Sequence, residues 1–301
     1  MHLTIRPISG RDELDRFTTL PYVLDPELAD DLTAGRRRPG WMWVALDGDT
    51  VLARLAWWAR AGDDAPFLLD IFDFVDFDAG VALLRAAFSA VLPDGGTPPE
   101  YTRFVPPDWH DDPAPVQQRM AALEMLGARP LVERLRLEWR PGTPVADPSG
   151  RLKFRPFSGT AEIIALMTSA LDGTLDAHSR DDLTRMPADE VATRHFDEEL
   201  ARYKSPREWW RAATLPDGTP VGFVFPARND YNPIIAYIGV AARHRGHGYI
   251  DDILAEGTRI LAATGVPRIR ATTDVGNVPM AAAFQRAGYV NYEREINMTW
   301  S

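Results

Sequence analysis

The chain contains one segment twice. Residues 3–10 read LTIRPISG and residues 152–159 read LKFRPFSG. Leu, Arg, Pro, Ser and Gly recur at matching places, and Ile5 and Ile8 are answered by Phe154 and Phe157. An internal repeat restricts the fold more than composition does, because one topology must suit both copies. Each segment opens with alternating apolar residues, the pattern of a half-buried strand, and each is followed by a helical stretch.

The correspondence continues along the chain. Segments 41–58 (WMWVALDGDTVLARLAWW) and 209–225 (WWRAATLPDGTPVGFVF) both read as strand, tight turn, strand, with Asp47-Gly48 and Asp217-Gly218 at the turns. Segments 119–139 and 279–300 each read as a helix stopped by glycine, Gly127 or Gly288, followed by a strand ending at Trp139 or Trp300. Between the copies, RPGTPVADPSGR has the proline and glycine content of a linker. The expected division is therefore 1–140, a linker at 141–151, and 152–301. In each copy the order is strand, helices, three strands, helix, strand, helix, strand. The expected fold class is α/β, a mixed sheet with helices on both faces, built twice. The tryptophans at 41, 43, 57, 58, 209 and 210 are expected in the sheet cores.

One loop differs between the copies. In the second, the strand-like IIAYIGV (234–240) passes into AARHRGHG (241–248) and then into a stretch with helical apolar spacing at Ile250, Ile253, Leu254, Ile260 and Leu261. A glycine-bearing basic loop at a helix start suits a phosphate. Free backbone N–H groups and the helix dipole favour the anion, and glycine lets the backbone approach it. The first copy has VDFDAG (75–80) there, with no arginine and with Asp73, Asp76 and Asp78 nearby. A diphosphate would be repelled from it. The acidic run Asp70, Asp73, Asp76, Asp78 is expected to be a solvated face.

Arg243-x-x-Gly246-x-Gly248 resembles the Q/R-x-x-G-x-G/A motif of the GNAT superfamily of N-acetyltransferases. Segment 272–290 (TTDVGNVPMAAAFQRAGYV) resembles that family's second cofactor element, with Asn277, Phe284, Gly288 and Tyr289 at the corresponding places. The resemblance covers the second copy by motif and the first by topology. It implies a tandem GNAT protein whose first copy is degenerate, and acetyl-CoA as co-substrate of the second. Implied cofactor residues are Ile238, Gly239, Val240, Arg243, Arg245, Gly246, His247, Gly248, Tyr249, Asn277, Met280 and Phe284. The implied activity is direct transfer of an acetyl group to a small-molecule primary amine within a ternary complex. A mycothiol synthase-like enzyme and a non-catalytic acyl-CoA sensor are the alternatives.

The family's chemistry asks for three groups. Val240 is the implied backbone donor to the thioester oxygen. Gly239 beside it either marks the bulge that splays this strand or serves close packing. For the general base the family often uses a carboxylate on this strand, which here has none; Asp230 just before it and Tyr237 are the candidates. Phe284 stands where many members carry a proton-donating tyrosine, leaving Tyr249 and Tyr289 as replacements. Within 172–206, Asp172, Asp176, His178, His195 and Glu199 are candidate acceptor contacts.

Composition excludes other classes. A net charge of −10 opposes nucleic-acid binding and suits a cationic substrate. The absence of cysteine removes disulfides, thiolate metal sites and a cysteine nucleophile. His244, His247 and Asp251 fall inside the phosphate loop, so no metal is expected. No signal-like N-terminus or spanning apolar run is present, so a cytoplasmic protein without membrane contact is expected. Two fused copies lead to the expectation of a monomer.

Overall fold

A computed structural model describes residues 3–93 and 96–300. They pack as two compact units. One comprises the chain through Val132 and the segment from Glu295 onward; the other is Glu133–Arg294. Among the described residues no helix is long and apolar enough to cross a membrane.

The first unit follows the expected order. Strand β1 (Leu3–Pro7) leads to short helices α1 (Leu14–Phe17) and α2 (Leu28–Thr33). Strands β2 (Met42–Asp47), β3 (Thr50–Trp58) and β4 (Leu68–Phe74) form an antiparallel run with β1. Helix α3 (Phe77–Val91) crosses to β5 (Tyr101–Val105), parallel to β4, and helix α4 (Ala114–Glu124) leads into β6 (Arg129–Trp139). Alternation along the strands feeds two cores. Ala45, Leu55 and Trp57 join α3 residues such as Leu84, whereas Val44, Leu46 and Val51 join Phe17 and Leu28.

The second unit repeats the plan. Strand β7 (Lys153–Arg155) precedes helices α5 (Thr160–Leu171), α6 (Ala177–Leu183) and α7 (Ala188–Glu198). Strands β8 (Arg211–Thr214), β9 (Pro220–Arg228) and β10 (Pro233–Val240) follow, then helix α8 (Tyr249–Ala262), β11 (Ile269–Asp274), helix α9 (Val278–Arg286) and β12 (Val290–Thr299). The sheet order here is β7-β8-β9-β10-β11-β6. One face packs on α8 and α9 through Val224, Ile253, Leu254 and Phe284; the other packs on α5 and α7 through Phe223, Phe225, Met167 and Phe196. Trp41, Trp57 and Trp210 are buried, while Trp43, Trp58 and Trp209 are half-buried.

The structure explains why the repeated segment is kept so closely. Arg6 donates to both carboxylate oxygens of Glu13 and to Pro7 O, while Ser9 N–H donates to Glu13. Arg155 does the same with Glu162 and Pro156 O, and Ser158 N–H donates to Glu162. Each copy thus ties its first strand to the start of its first helix, at the N-cap Glu13 or the first-turn Glu162, through a bidentate pair seven residues apart. The glutamates were not part of the sequence match, because only the fold reveals their partner.

The units do not divide where the linker composition suggested. Segment 141–151 lies within the second unit, where Arg259 donates to Ala146 O and Val145 packs on the core. β6 and β12 each contribute residues to both units. The end of β12 completes the first core: Met298 is buried there, and Trp300 packs on Phe88 at 5.6 Å and donates to Leu126 O. Strand alternation reveals a buried face but not the sheet that a strand joins.

Candidate active site

β10 and β11 are parallel but share a single register pair, Ile234 with Arg270. Beyond it the strands part. The cause lies on the other side of β10, where its register with β9 shifts between Ile235 and Tyr237, leaving Ala236 as the extra residue. A bulge bends its strand and ends regular pairing. The first copy has the same shift, with Asp70 as the extra residue in β4 and only Leu69 paired with Tyr101. The bulge is therefore not at Gly239, which stays in register with Phe223. Gly239 serves packing: a Cβ there would lie 2.9 Å from the Phe223 ring and 3.2 Å from Ala170 Cβ.

The ladder determines what β10 offers to the gap. Ala241 N–H donates to Val221 O, so 241 and, two residues back, 239 face β9. The N–H groups of Ile238 and Val240 then point toward the gap, where no strand meets them. A cleft of about 500 Å³ opens at this place. Ile235–Val240 form one wall, Thr272 and Thr273 another, and Met280 and Phe284 add an apolar floor.

The loop closes one end of the cleft. Gly246 (φ 81°) and Gly248 (φ 72°) adopt the left-handed backbone that favours glycine. Gly248 is the N-cap of α8 and supplies no side-chain acceptor, so the helix start stays open to an anion. Two carboxylates in that first turn are neutralised. Asp251 pairs with Arg286 at 2.7 Å and Asp252 with Arg151 at 2.6 Å. Arg151 also donates to His247 O and Gly248 O and lies over the Tyr249 ring. Arg243 donates to His244 Nε2, and burial first, then Arg243 and His247, holds His244 below its ordinary value. His247 stacks on Tyr249, which lines the cleft. Asn277 caps α9 by accepting from Met280 N–H and also lines the cleft.

Arg245 was expected to add charge to the phosphate loop. Its guanidinium instead donates to Ala170 O (2.6 Å), Asp172 O (2.7 Å), Gly173 O (3.1 Å) and Val240 O (3.3 Å). It caps the carbonyl end of α5.

The cleft is also lined by Leu175, Asp176, Tyr237 and Arg134. Asp176 caps α6 by accepting from Ser179 N–H and lies 4.0 Å from Arg134. Burial works to raise its carboxyl, but the Arg134 charge and the bonds from Ser179 hold it below the usual range. Arg134 pairs at 3.0 Å with buried Asp274, which also accepts from Ala177 N–H. Burial, then the Asp176 charge, raises Asp274. Burial and then Asp176 and Glu199 push the Tyr237 hydroxyl up, so it stays neutral. Sequence reasoning missed Arg134 and Asp274, which come from β6 and β11. Of the other acceptor candidates, Asp172 offers its carbonyl to Arg245, and His195 and Glu199 pair at 3.4 Å with the His195 ring against Tyr237.

Two candidate catalytic residues lie elsewhere. Asp230 sits in an exposed turn in which Asn229 accepts from the N–H groups of Tyr231 and Asn232. That turn precedes β10, whose eight residues span roughly 25 Å, and the loop lies at the opposite end. Tyr289 is buried against α8, bonded to Thr258 Oγ1 at 2.8 Å and packed on Phe284 at 5.0 Å.

The first copy has closed the equivalent place. Asp70 and Asp73 are buried, not a solvated face. Asp70 forms a bidentate pair with Arg37. Asp73 stands where the second copy has Gly239 and pairs with Arg54, Arg103 and Arg119. Arg103 and Arg119 also donate to Phe72 O, the backbone group facing the gap. At the start of α3, Asp76 accepts from Ala79 N–H, taking the place an anion would use.

Residues 176–289 match the acetyltransferase (GNAT) family model. The whole chain resembles solved GNAT structures. One is a GCN5-related N-acetyltransferase from Sphaerobacter thermophilus, with TM-score 0.59 and 15% identity, over 99% of this chain and 95% of that one. Another is a tandem GNAT protein from the clavulanic acid biosynthesis pathway, with TM-score 0.54 and 18% identity, over 99% and 98%. A third is a GCN5-related N-acetyltransferase from Kribbella flavida, with TM-score 0.52 and 15% identity, over 91% and 93%. No curated protein matches the sequence. The chain has the fold of a tandem GNAT protein, an α/β structure with two copies of the GNAT plan. The stretch from Asp176 to Tyr289 that matches the acetyltransferase family contains β10, the loop, α8 and α9.

Proposed function

We propose that the chain is an acetyl-CoA-dependent N-acetyltransferase that acts in its second copy on a primary amine of a small molecule. The open edge of β10 carries this reading. The N–H groups of Ile238 and Val240 face a cleft of about 500 Å³, and the uncapped start of α8 lies at one end of it. That edge can take an extended amide-bearing arm as a further strand would be taken, and the loop can take a diphosphate. Gly246, Gly248, Tyr249, Asn277, Met280 and Phe284 line the path between them.

In direct transfer the amine nitrogen bonds to the acyl carbon, the carbon–sulfur bond breaks, and the sulfur leaves with its electron pair. Val240 N–H is the donor to the oxygen on which charge develops. Asp176, ionised and half-buried, draws in the acceptor's ammonium, which gives one proton to water before its lone pair attacks; the second proton, released as the amide forms, returns through water to Tyr249 after Tyr249 has protonated the sulfur. Tyr237 beside it orients by hydrogen bonding and is too weak an acid to serve as a base at neutral pH. Tyr249, which lines the cleft, donates to the departing sulfur in this reading, a role that Phe284 cannot fill. The lack of cysteine suits a chemistry without a covalent enzyme intermediate, and a cytoplasmic monomer fits this reading.

Calorimetric titration with acetyl-CoA tests the proposal, with Gly246→Asp as control. One site per chain is expected. The variant weakens it by about tenfold or more, because the new carboxylate repels the diphosphate and its side chain occupies the space that glycine leaves for the close approach. Two sites would contradict the assignment to one copy. No binding by folded protein would remove the transferase reading, and binding without transfer to any amine would favour a sensor.

A further inference from the structure

The place of Arg245 in the loop motif suggests a phosphate ligand, and the residue lines the cleft, yet its guanidinium is taken up by the protein's own backbone. All four of its hydrogen bonds go to backbone carbonyls, three of them at 170–173, where α5 ends. The fourth goes to Val240 O, at the strand end whose N–H faces the cleft. Segment 173–176 follows directly, and all four of its residues line the cleft. Leu175 is 45% exposed there, and Asp176 carries the charge. The far end of the same segment is held by a different residue, since Asp274 accepts from Ala177 N–H at 2.6 Å. Within the segment, Thr174 N–H donates to Leu171 O, and its hydroxyl accepts from Asp176 N–H. The wall that carries Leu175 and Asp176 is therefore pinned at both ends, by Arg245 from the loop and by Asp274 from β11.

We propose that Arg245 is a positioning residue for the acceptor: it fastens wall 170–176 to the strand end at Val240, so that a residue of the donor loop governs how the amine is held. This rests on the acetyltransferase reading above. The inference departs from the motif, in which the loop serves the cofactor alone. A guanidinium suits the task because its planar fork can serve several carbonyls at once, whereas an ammonium is a single point.

The test compares wild type with Arg245→Ala and Arg245→Lys. Three quantities are read: the acetyl-CoA dissociation constant, hydrogen exchange in peptides spanning 171–177, and thiol release with the best acceptor from a panel of primary amines. With Arg245→Ala, exchange in 171–177 should accelerate and the amine KM should rise by about tenfold or more, the scale of one lost charged hydrogen bond. The acetyl-CoA dissociation constant should move by less than about threefold, since the guanidinium's hydrogen bonds are all given to the protein's own carbonyls. Arg245→Lys should recover part of the amine KM, and it keeps the test valid should the alanine variant fail to fold. Acetyl-CoA binding weakened tenfold, with exchange and amine KM unchanged, would overturn the proposal and make Arg245 a phosphate ligand. Wild type that binds no acetyl-CoA would count against the transferase reading alone; the exchange arm would then still overturn the fastening if Arg245→Ala left 171–177 as protected as before.

Discussion

The two copies share a bulge, a parted pair of strands and a helix start, and they differ in what fills the gap. In the second copy Ala236 and Gly239 occupy the bulge residue and the place three beyond it, and the gap remains a cleft. In the first copy Asp70 and Asp73 occupy those places, and Arg37, Arg54, Arg103 and Arg119 fold onto them. The lesson is that a parted strand pair creates unmet backbone groups in either case. In the first copy Arg103 and Arg119 donate to one such group, Phe72 O, and fill the gap; in the second the N–H groups of Ile238 and Val240 face an open cleft. Two residues of an acidic run, Asp70 and Asp73, are thus part of a buried ion cluster, because their counter-ions come from the segment after α2 and from β3, β5 and α4.

The strongest way to break this comparison is Asp73→Ala. It removes the shared partner of three buried or nearly buried arginines, and the expected loss is about 3–5 kcal/mol. Urea unfolding measures it, and calorimetry should still find no acetyl-CoA site in the first copy. An unchanged unfolding midpoint would mean that the ion cluster is not what holds the closed copy together.

Next in size is the tyrosine pair of the second copy. Tyr289→Phe should cost about 1 kcal/mol through the lost bond to Thr258 and leave acetyl transfer unchanged. Tyr249→Phe should do the reverse, lowering the transfer rate with little change in Tm. Equal rates for wild type and Tyr249→Phe would end its role as proton donor. Asp230→Ala should alter neither quantity, given its place in an exposed turn.

The smallest effect probes what the copies have in common. Glu13 and Glu162 are held at about 2 against an ordinary 4.5, chiefly by the bonds from Arg6 and Arg155. A carboxylate lowered by folding stabilises fully above its unfolded value and ceases to as pH falls through the folded one. Glu13→Gln and Glu162→Gln should therefore reduce Tm above pH 4.5. The difference should fade between pH 4.5 and about 2. Part-exposed arginines keep each effect modest. If only one of the two variants showed this dependence, the repeated pair would not be doing the same work in both copies.

The sequence by itself determined the repeat, the order of strands and helices in each copy, the glycine-bearing basic loop at the start of α8, and the inability of the first copy to present such a loop. These are local properties. Alternation, turn chemistry and helix starts depend on neighbours within a few residues. Only the tertiary structure decided that Ala236 and not Gly239 is the bulge, since register is a property of two strands. It alone placed Tyr289 in the core, Asp230 in a remote turn, and Arg134 with Asp274 beside Asp176. It also joined Arg245 of the loop to the carbonyls at the end of α5, 72 to 75 residues earlier in the chain. The physical reason is the same in each case. A side chain's partner is chosen by packing across the fold, and a charge or hydroxyl reads identically in sequence whether it meets solvent, a ligand or a distant carbonyl.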